Sequence, residues 1–309
     1  MIKSDSMSKT KPSTTSKAKT DNKYKLTWLP KKTFELEFAV DWPTAKKTYD
    51  QVLKKVSQET EIKGFRKGKA PIKIVEQNVD KQKLYEEVLK QLLPSVYEAA
   101  VKQHNLKPII SPKIQALSLK EGEDWQFKAS ACEAPEIHLA DYQKAVKGEL
   151  AKEAIWTPDK GKPEKDDKKP TKTYDQKIKL VTKALLDNVK AEISDLLIED
   201  EVNRMLSKFL DQVNSLGMTI DQYLSSKQIN QQQLRLSYQK QAEETLKLEF
   251  ILLAIIKDKK IKIDDSEVDK MIDAAPDEKI KKQLNTPLQR AYISSILAKR
   301  KALDYLANL

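Results

Sequence analysis

The sequence predicts an α+β module followed by an all-α helical array. Apolar residues alternate with polar ones near the start, where Phe34, Leu36, Phe38 and Val40 interleave with Thr33, Glu35 and Glu37. They alternate again at Trp125, Phe127, Ala129 and Ala131. Period two marks strands with one buried face. From Gln176 onward the apolar spacing changes to three and four residues, the signature of amphipathic helices. Between the two regimes, residues 147–175 carry eight lysines, seven acids and three prolines with almost no apolar cluster.

Composition narrows the function classes. The 309 residues are 33% charged and 39% apolar with only 6 glycines, which favours long solvated helices over a compact β-rich enzyme. Lys plus Arg is 57 and Asp plus Glu is 46, a net charge of +11. That excess suits an anionic partner, or simply a solvated basic surface. Cys132 is the single cysteine, so a disulfide framework is excluded, and with His104 and His138 it makes no credible zinc set. No cofactor is implied, and a reducing, cytoplasmic setting fits. No apolar run nears the ~18–20 residues of a membrane span. The N-terminus has no apolar segment of the secretory type.

Four segments follow in order. Residues 1–23 read as a disordered basic tail: residues 1–22 hold nine Ser or Thr and five lysines. Residues 24–146 form the α+β module. A hairpin turns at Leu29-Pro30-Lys31-Lys32, and Asp41 with Pro43 opens a helix bearing Ala45, Tyr49, Val52, Leu53 and Val56 on one face. That helix ends before Gly64. Pro71 opens a short helix, and a longer one carries Leu84, Val88, Leu92 and Val96, with Pro94 inside it. Strands at 113–119 and 125–132 close the module. Residues 147–175 read as a flexible charged linker, with Trp156 unexplained. Residues 176–309 read as helix throughout. Ser194, Thr219, Asn230, Asp264 and Thr286 serve as N-caps, several with Gln or Glu three residues on as a capping box.

Catalysis finds no support: two histidines make no nucleophilic triad, and no phosphate-binding or dinucleotide fingerprint is present. The informative feature is the stretch 63–73, with five cations (Lys63, Arg66, Lys67, Lys69, Lys73) and no acid. Gly64 and Gly68 bracket Phe65-Arg66-Lys67 and admit backbone angles that a β-carbon penalises. Two placements of Phe65 fit this pattern. It is either an aromatic anchor presented among cations or a ring folded back into the core.

The string Gly64-Phe65-Arg66-Lys67-Gly68-Lys69-Ala70-Pro71 closely resembles the ribosome-binding loop of the trigger factor family of bacterial chaperones. Gly122-Glu123-Asp124-Trp125-Gln126-Phe127 leading to Glu133-Ala134-Pro135-Glu136-Ile137 extends the resemblance. So do Leu185-Leu186-Asp187-Asn188-Val189 and Leu216-Gly217-Met218-Thr219-Ile220-Asp221-Gln222-Tyr223-Leu224 in the helical half. It covers about residues 24–146 and 176–306. The family implies an α+β ribosome-binding domain followed by an all-α chaperone domain. It implies that Gly64, Phe65, Arg66, Lys67, Gly68 and Lys69 dock on a ribosomal protein and rRNA at the tunnel exit. The implied partners are the ribosome, unfolded or nascent polypeptides and, off the ribosome, a second copy in a homodimer; no membrane is implied. Family members usually carry an FKBP-like prolyl isomerase domain between the halves. Only residues 147–175 stand there, so the expectation is a holding chaperone without isomerase activity. Ser194 stands where the family leads one to expect proline.

Other readings remain open on the sequence alone. A general chaperone of the SurA type shares the helical character, but calls for a secretory signal and no basic docking loop. A general RNA-binding protein suits the charge, although no RRM, KH or zinc-knuckle pattern appears. A prolyl isomerase would show itself in proline-limited refolding. Client-binding residues cannot be chosen from the sequence.

Overall fold

The computed structural model describes residues 24–152 and 173–309. The expected tail, Trp156 and most of the expected linker lie outside the described residues.

The hairpin forms as expected from β1 (Tyr24–Leu29) and β2 (Thr33–Val40), and alternation buries Phe34, Leu36, Phe38 and Val40 on one face. Its turn places Lys31 at φ 60° and Lys32 at φ 53°, with the Thr33 N–H donating to Pro30 O at 3.3 Å. Two successive positive φ values are the sign pattern of a type I′ turn, which normally takes Asn-Gly. Lysine is strained there. Three contacts hold the turn: Lys32 pairs with Glu136 at 2.6 Å, Lys31 pairs with Asp195 at 2.7 Å, and the Glu133 N–H donates to Lys32 O at 2.9 Å.

Helix α1 (Trp42–Glu59) starts where Asp41 accepts from the Thr44 N–H at 3.1 Å. Helices α2 (Ile72–Asn78) and α3 (Lys81–Gln103) follow, α3 running on through Pro94 and capped at its C-terminus by His104. Strands β3 (Lys113–Ser118) and β4 (Trp125–Cys132) complete a four-stranded sheet of order β1-β2-β4-β3. Trp125 of the sheet meets Trp42 of α1 at 6.2 Å and Tyr85 of α3 at 5.7 Å between ring centroids, and within the sheet Phe38 stacks on Phe127 at 5.6 Å.

A short ladder pairs β5 (Ile137–His138) antiparallel with β6 (Lys190–Ala191), so His138 lies in a strand rather than after one. Helix α4 (Tyr142–Lys152) reaches six residues into the stretch expected to be linker. The reason is an apolar stripe, Tyr142, Val146 and Leu150, that packs into a core. Helix α5 (Tyr174–Asn188) begins two residues earlier than expected, because Thr173 and Gln176 form a capping box. Then come α6 (Asp195–Ser215), α7 (Ile220–Lys227), α8 (Gln231–Asp258), α9 (Asp265–Asp273), α10 (Glu278–Leu284) and α11 (Pro287–Ala307). The caps read from the sequence are in place: Ser194, Thr219, Asn230 and Thr286 each accept a first-turn N–H, and Asp264 forms its box with Glu267.

Ser194 does more than cap. Its hydroxyl accepts from the Leu196 N–H at 3.3 Å and shares a hydrogen bond with the Thr33 hydroxyl at 2.8 Å. A proline could make neither bond. Two compact units result. One takes the chain to Thr27 with Leu36–Asn105 and Ile114–Ala129; the other takes Trp28–Glu35, Leu106–Lys113 and Ser130–Leu309. The second unit's main core joins α4, α5, α8 and α11 through Val146, Leu185, Ile251, Ile255 and Leu306.

Candidate functional site: a basic loop and an apolar surface

All six residues singled out in the sequence, Gly64, Phe65, Arg66, Lys67, Gly68 and Lys69, fall in one exposed loop between α1 and α2. The loop is two consecutive turns. The Phe65 N–H donates to Ile62 O at 3.0 Å and the Lys69 N–H to Arg66 O at 2.9 Å. Each turn needs a positive φ at its third residue, as a type II turn does, and glycine stands there both times: Gly64 at 89°, Gly68 at 74°. A β-carbon at Gly68 would lie 3.3 Å from Gln58 O, which closes the second turn against the end of α1.

Phe65 and Arg66 sit at the junction of the turns. Phe65 is 39% exposed, which selects the presented ring over the one folded into the core. Short turns with few rotatable backbone angles fix an apolar ring among cations at little further entropic cost on binding. The loop can therefore grip a surface that offers a shallow apolar depression beside anionic groups.

The helical region carries exposed apolar side chains that the sequence reading did not single out. On α11, Leu288, Tyr292 and Ile296 recur every fourth residue, which puts them on one face, and the first two are 78% and 63% exposed. A different face of the same helix buries Ile293, Ala302 and Leu306. Leu216 is 71% exposed at the end of α6, and Leu236 is exposed on α8. Met271 is exposed, while Met205 and Met218 are half-buried. The signal in the sequence was the excess of apolar positions on α11, more than one buried stripe requires.

Cys132 is buried, and that burial pushes its thiol up, away from the reactive thiolate. Among the described residues no group of His, Cys, Asp or Glu is arranged to hold a metal ion, and no helix is long and apolar enough to cross a membrane.

Comparison with known proteins gives a coherent pattern. Residues 22–158 match the family model described as bacterial trigger factor protein, and residues 165–308 match that of the trigger factor C-terminus. Six residues, 159–164, separate the two matches. The chain is 38% identical over 108 residues to the trigger factor of Streptococcus pneumoniae (strain JJA), covering 35% of this chain and 25% of that protein. It is 37% identical over 119 residues to the trigger factor of Streptococcus suis (strain 05ZYH33), covering 38% and 28%. These matches thus span about a quarter of the length of the curated relatives. A solved structure from work on promiscuous substrate recognition by the trigger factor chaperone shares the fold at TM-score 0.60 and 15% identity, over 92% of this chain and 99% of that one.

Proposed function

The chain belongs to the trigger factor family, and from that premise we propose that it is a cytoplasmic, ribosome-docked chaperone that holds nascent polypeptides without isomerising their prolines. The observation that carries this reading is the exposed double turn, with Phe65, Arg66 and Lys67 presented between two positive-φ glycines. Phe65 would enter an apolar depression on a ribosomal protein while Arg66, Lys67 and Lys69 pair with carboxylates or rRNA phosphates.

Holding falls to the helical unit. Its exposed stripe on α11, with Leu216 and Leu236, offers dispersed apolar contacts to unfolded segments. Contacts of that kind are individually weak, so many sequences bind and leave. Off the ribosome the same side chains would serve self-association in a homodimer. In support of lost isomerase activity, the two family matches leave six residues between them, where related chains usually insert a whole domain. A basic tail to residue 23, a docking module over 24–146 and a holding domain over 176–309 belong to this proposal, as does the tether expected over 147–175, less its first six residues, which lie in α4, and its last two, which lie in α5.

Co-sedimentation with bacterial ribosomes tests the docking. A Phe65→Ala, Arg66→Ala, Lys67→Ala variant, folded by circular dichroism, is expected to lose at least about tenfold in affinity, as removal of an aromatic anchor and two cations usually costs. Equal binding of the two chains would move the dock elsewhere and leave a general chaperone. Catalysis of a proline-limited refolding reaction would overturn the non-enzymatic part.

A further inference from the structure

Beside the basic loop, the first unit holds a pocket of about 470 Å³ that the docking reading does not use. Four aromatic residues far apart in sequence, Trp42, Tyr49, Tyr85 and Trp125, line it. Their rings form a chain: Tyr49 to Tyr85 at 5.7 Å, Tyr85 to Trp125 at 5.7 Å, and Trp125 to Trp42 at 6.2 Å between centroids. Trp125 is 1% exposed, and its Nε1–H has no hydrogen-bond partner among the described residues. Lys46, Lys73 and Lys81 also line the pocket. Lys73 and Lys81 are exposed and make no ion pair among the described residues, and Lys73 is also the last cation of the basic stretch.

We infer that this pocket takes one unpaired nucleotide of a single-stranded RNA. Its volume lies in the range of sites for small ligands, roughly 300–1,000 Å³. Splayed RNA bases are held by stacking on aromatic side chains and by hydrogen bonds to their edges, while lysines neutralise the flanking phosphates. All three provisions are present. The half-exposed rings of Trp42 and Tyr85 give the stacking faces. The exposed Glu121 and Gln77 give edge partners, Glu121 as an acceptor for base amino groups. Lys73 and Lys81 give the phosphate contacts.

An aromatic pocket with carboxylates could also hold an organic cation, but here a cation of the chain already takes one of the ring faces. The Lys46 ammonium already stands 5.2 Å over the Tyr49 ring and pairs with Asp50 at 3.1 Å. Glu76 is engaged by the Tyr49 hydroxyl, which donates to it at 2.9 Å. With Lys46 paired to Asp50, Lys73 and Lys81 match Glu76 and Glu121 in number, so the lining is neutral and the two lysines remain without an ion pair among the described residues to meet a phosphate.

The test is titration of the full chain with fluorescein-labelled hexaadenylate, following anisotropy and tryptophan emission together. Trp42 and Trp125 are two of the four tryptophans, so stacking in the pocket quenches a large part of the emission. Saturable binding with quenching is expected, stronger than for hexauridylate, which has no base amino group. A Lys73→Gln, Lys81→Gln variant should bind about tenfold more weakly, and its salt dependence should flatten by about 0.7 in log–log slope per lysine. A Trp42→Leu variant should weaken binding about tenfold while keeping the slope. The docking reading fails separately, because the loop triple variant is expected to keep hexaadenylate binding and quenching. Loss of both in that variant would hand the RNA to the loop and overturn the pocket. Binding without quenching would do the same, as would quenching by a trimethyllysine peptide but not by hexaadenylate. Equal affinity for free AMP would overturn an RNA chain as the source of the nucleotide.

Discussion

The α+β region and the helical region spend their apolar residues in opposite ways. In the first, strand alternation turns Phe34, Leu36, Phe38, Val40, Trp125 and Phe127 inward until almost none of their surface meets water. Its basic loop is small, cationic and fixed by two tight turns, and the apolar side chains it does expose, such as Ile72 and Leu117, lie on separate elements rather than in a helical stripe. In the second, α11 buries one stripe and leaves another, Leu288-Tyr292-Ile296, in solvent. A strand pair has only two faces, so one register decides everything. A helix of 21 residues has faces to spare, and an apolar face left unpartnered is available to something else. The first arrangement suits recognition of one surface, the second suits loose contact with many.

The largest effect that could break this contrast is on stability. Phe127→Ala deletes a fully buried ring and is expected to cost about 3–5 kcal/mol, read as a lower midpoint in urea unfolding. Leu288→Ala deletes a similar apolar mass from an exposed site, and its cost should stay within about 0.5 kcal/mol. Comparable losses would mean that the exposed stripe is covered in solution. A smaller effect sharpens the functional half. Replacing Leu216, Leu288, Tyr292 and Ile296 together by serine should reduce suppression of aggregation of a refolding client several-fold, with ribosome co-sedimentation unchanged. An undiminished holding activity would detach the apolar surface from the function.

The smallest concerns the strained hairpin turn. Lys32→Gly relieves one positive φ at the loss of an exposed ion pair with Glu136. Left-handed backbone strains an ordinary residue, and a fully exposed pair adds little to stability. The variant should therefore be more stable, read as a higher midpoint in thermal or urea unfolding. A destabilised variant would show that the contacts of Lys32 outweigh its strain.

Much of this was legible in the sequence because it is local. A capping residue and its partner lie three positions apart, so Thr219 with Gln222 and Asp264 with Glu267 announce helix starts in any context. The glycines of the basic loop declare their turns for the same reason. The rest depends on partners distant along the chain. The β5–β6 ladder joins residues some fifty positions apart with two residues per strand, too short for periodicity to register. The seven-residue α10 was too short to stand out from its charged surroundings. Helix α4 continues past the expected boundary because α5 and α11 supply a surface for it, which no local pattern could reveal. The aromatic pocket gathers positions 42, 49, 85 and 125, of which Tyr49 and Trp125 read alone as a helix-face and a strand residue and the other two carried no local signal.

The division of labour between loop and helices is tested most directly by photo-crosslinking to a stalled nascent chain on the ribosome, with the probe placed at position 288. The account predicts crosslinks to the nascent chain that vanish in the Phe65→Ala, Arg66→Ala, Lys67→Ala variant, while that variant still suppresses aggregation of a free client. Crosslinks of equal strength in the loop variant would contradict it.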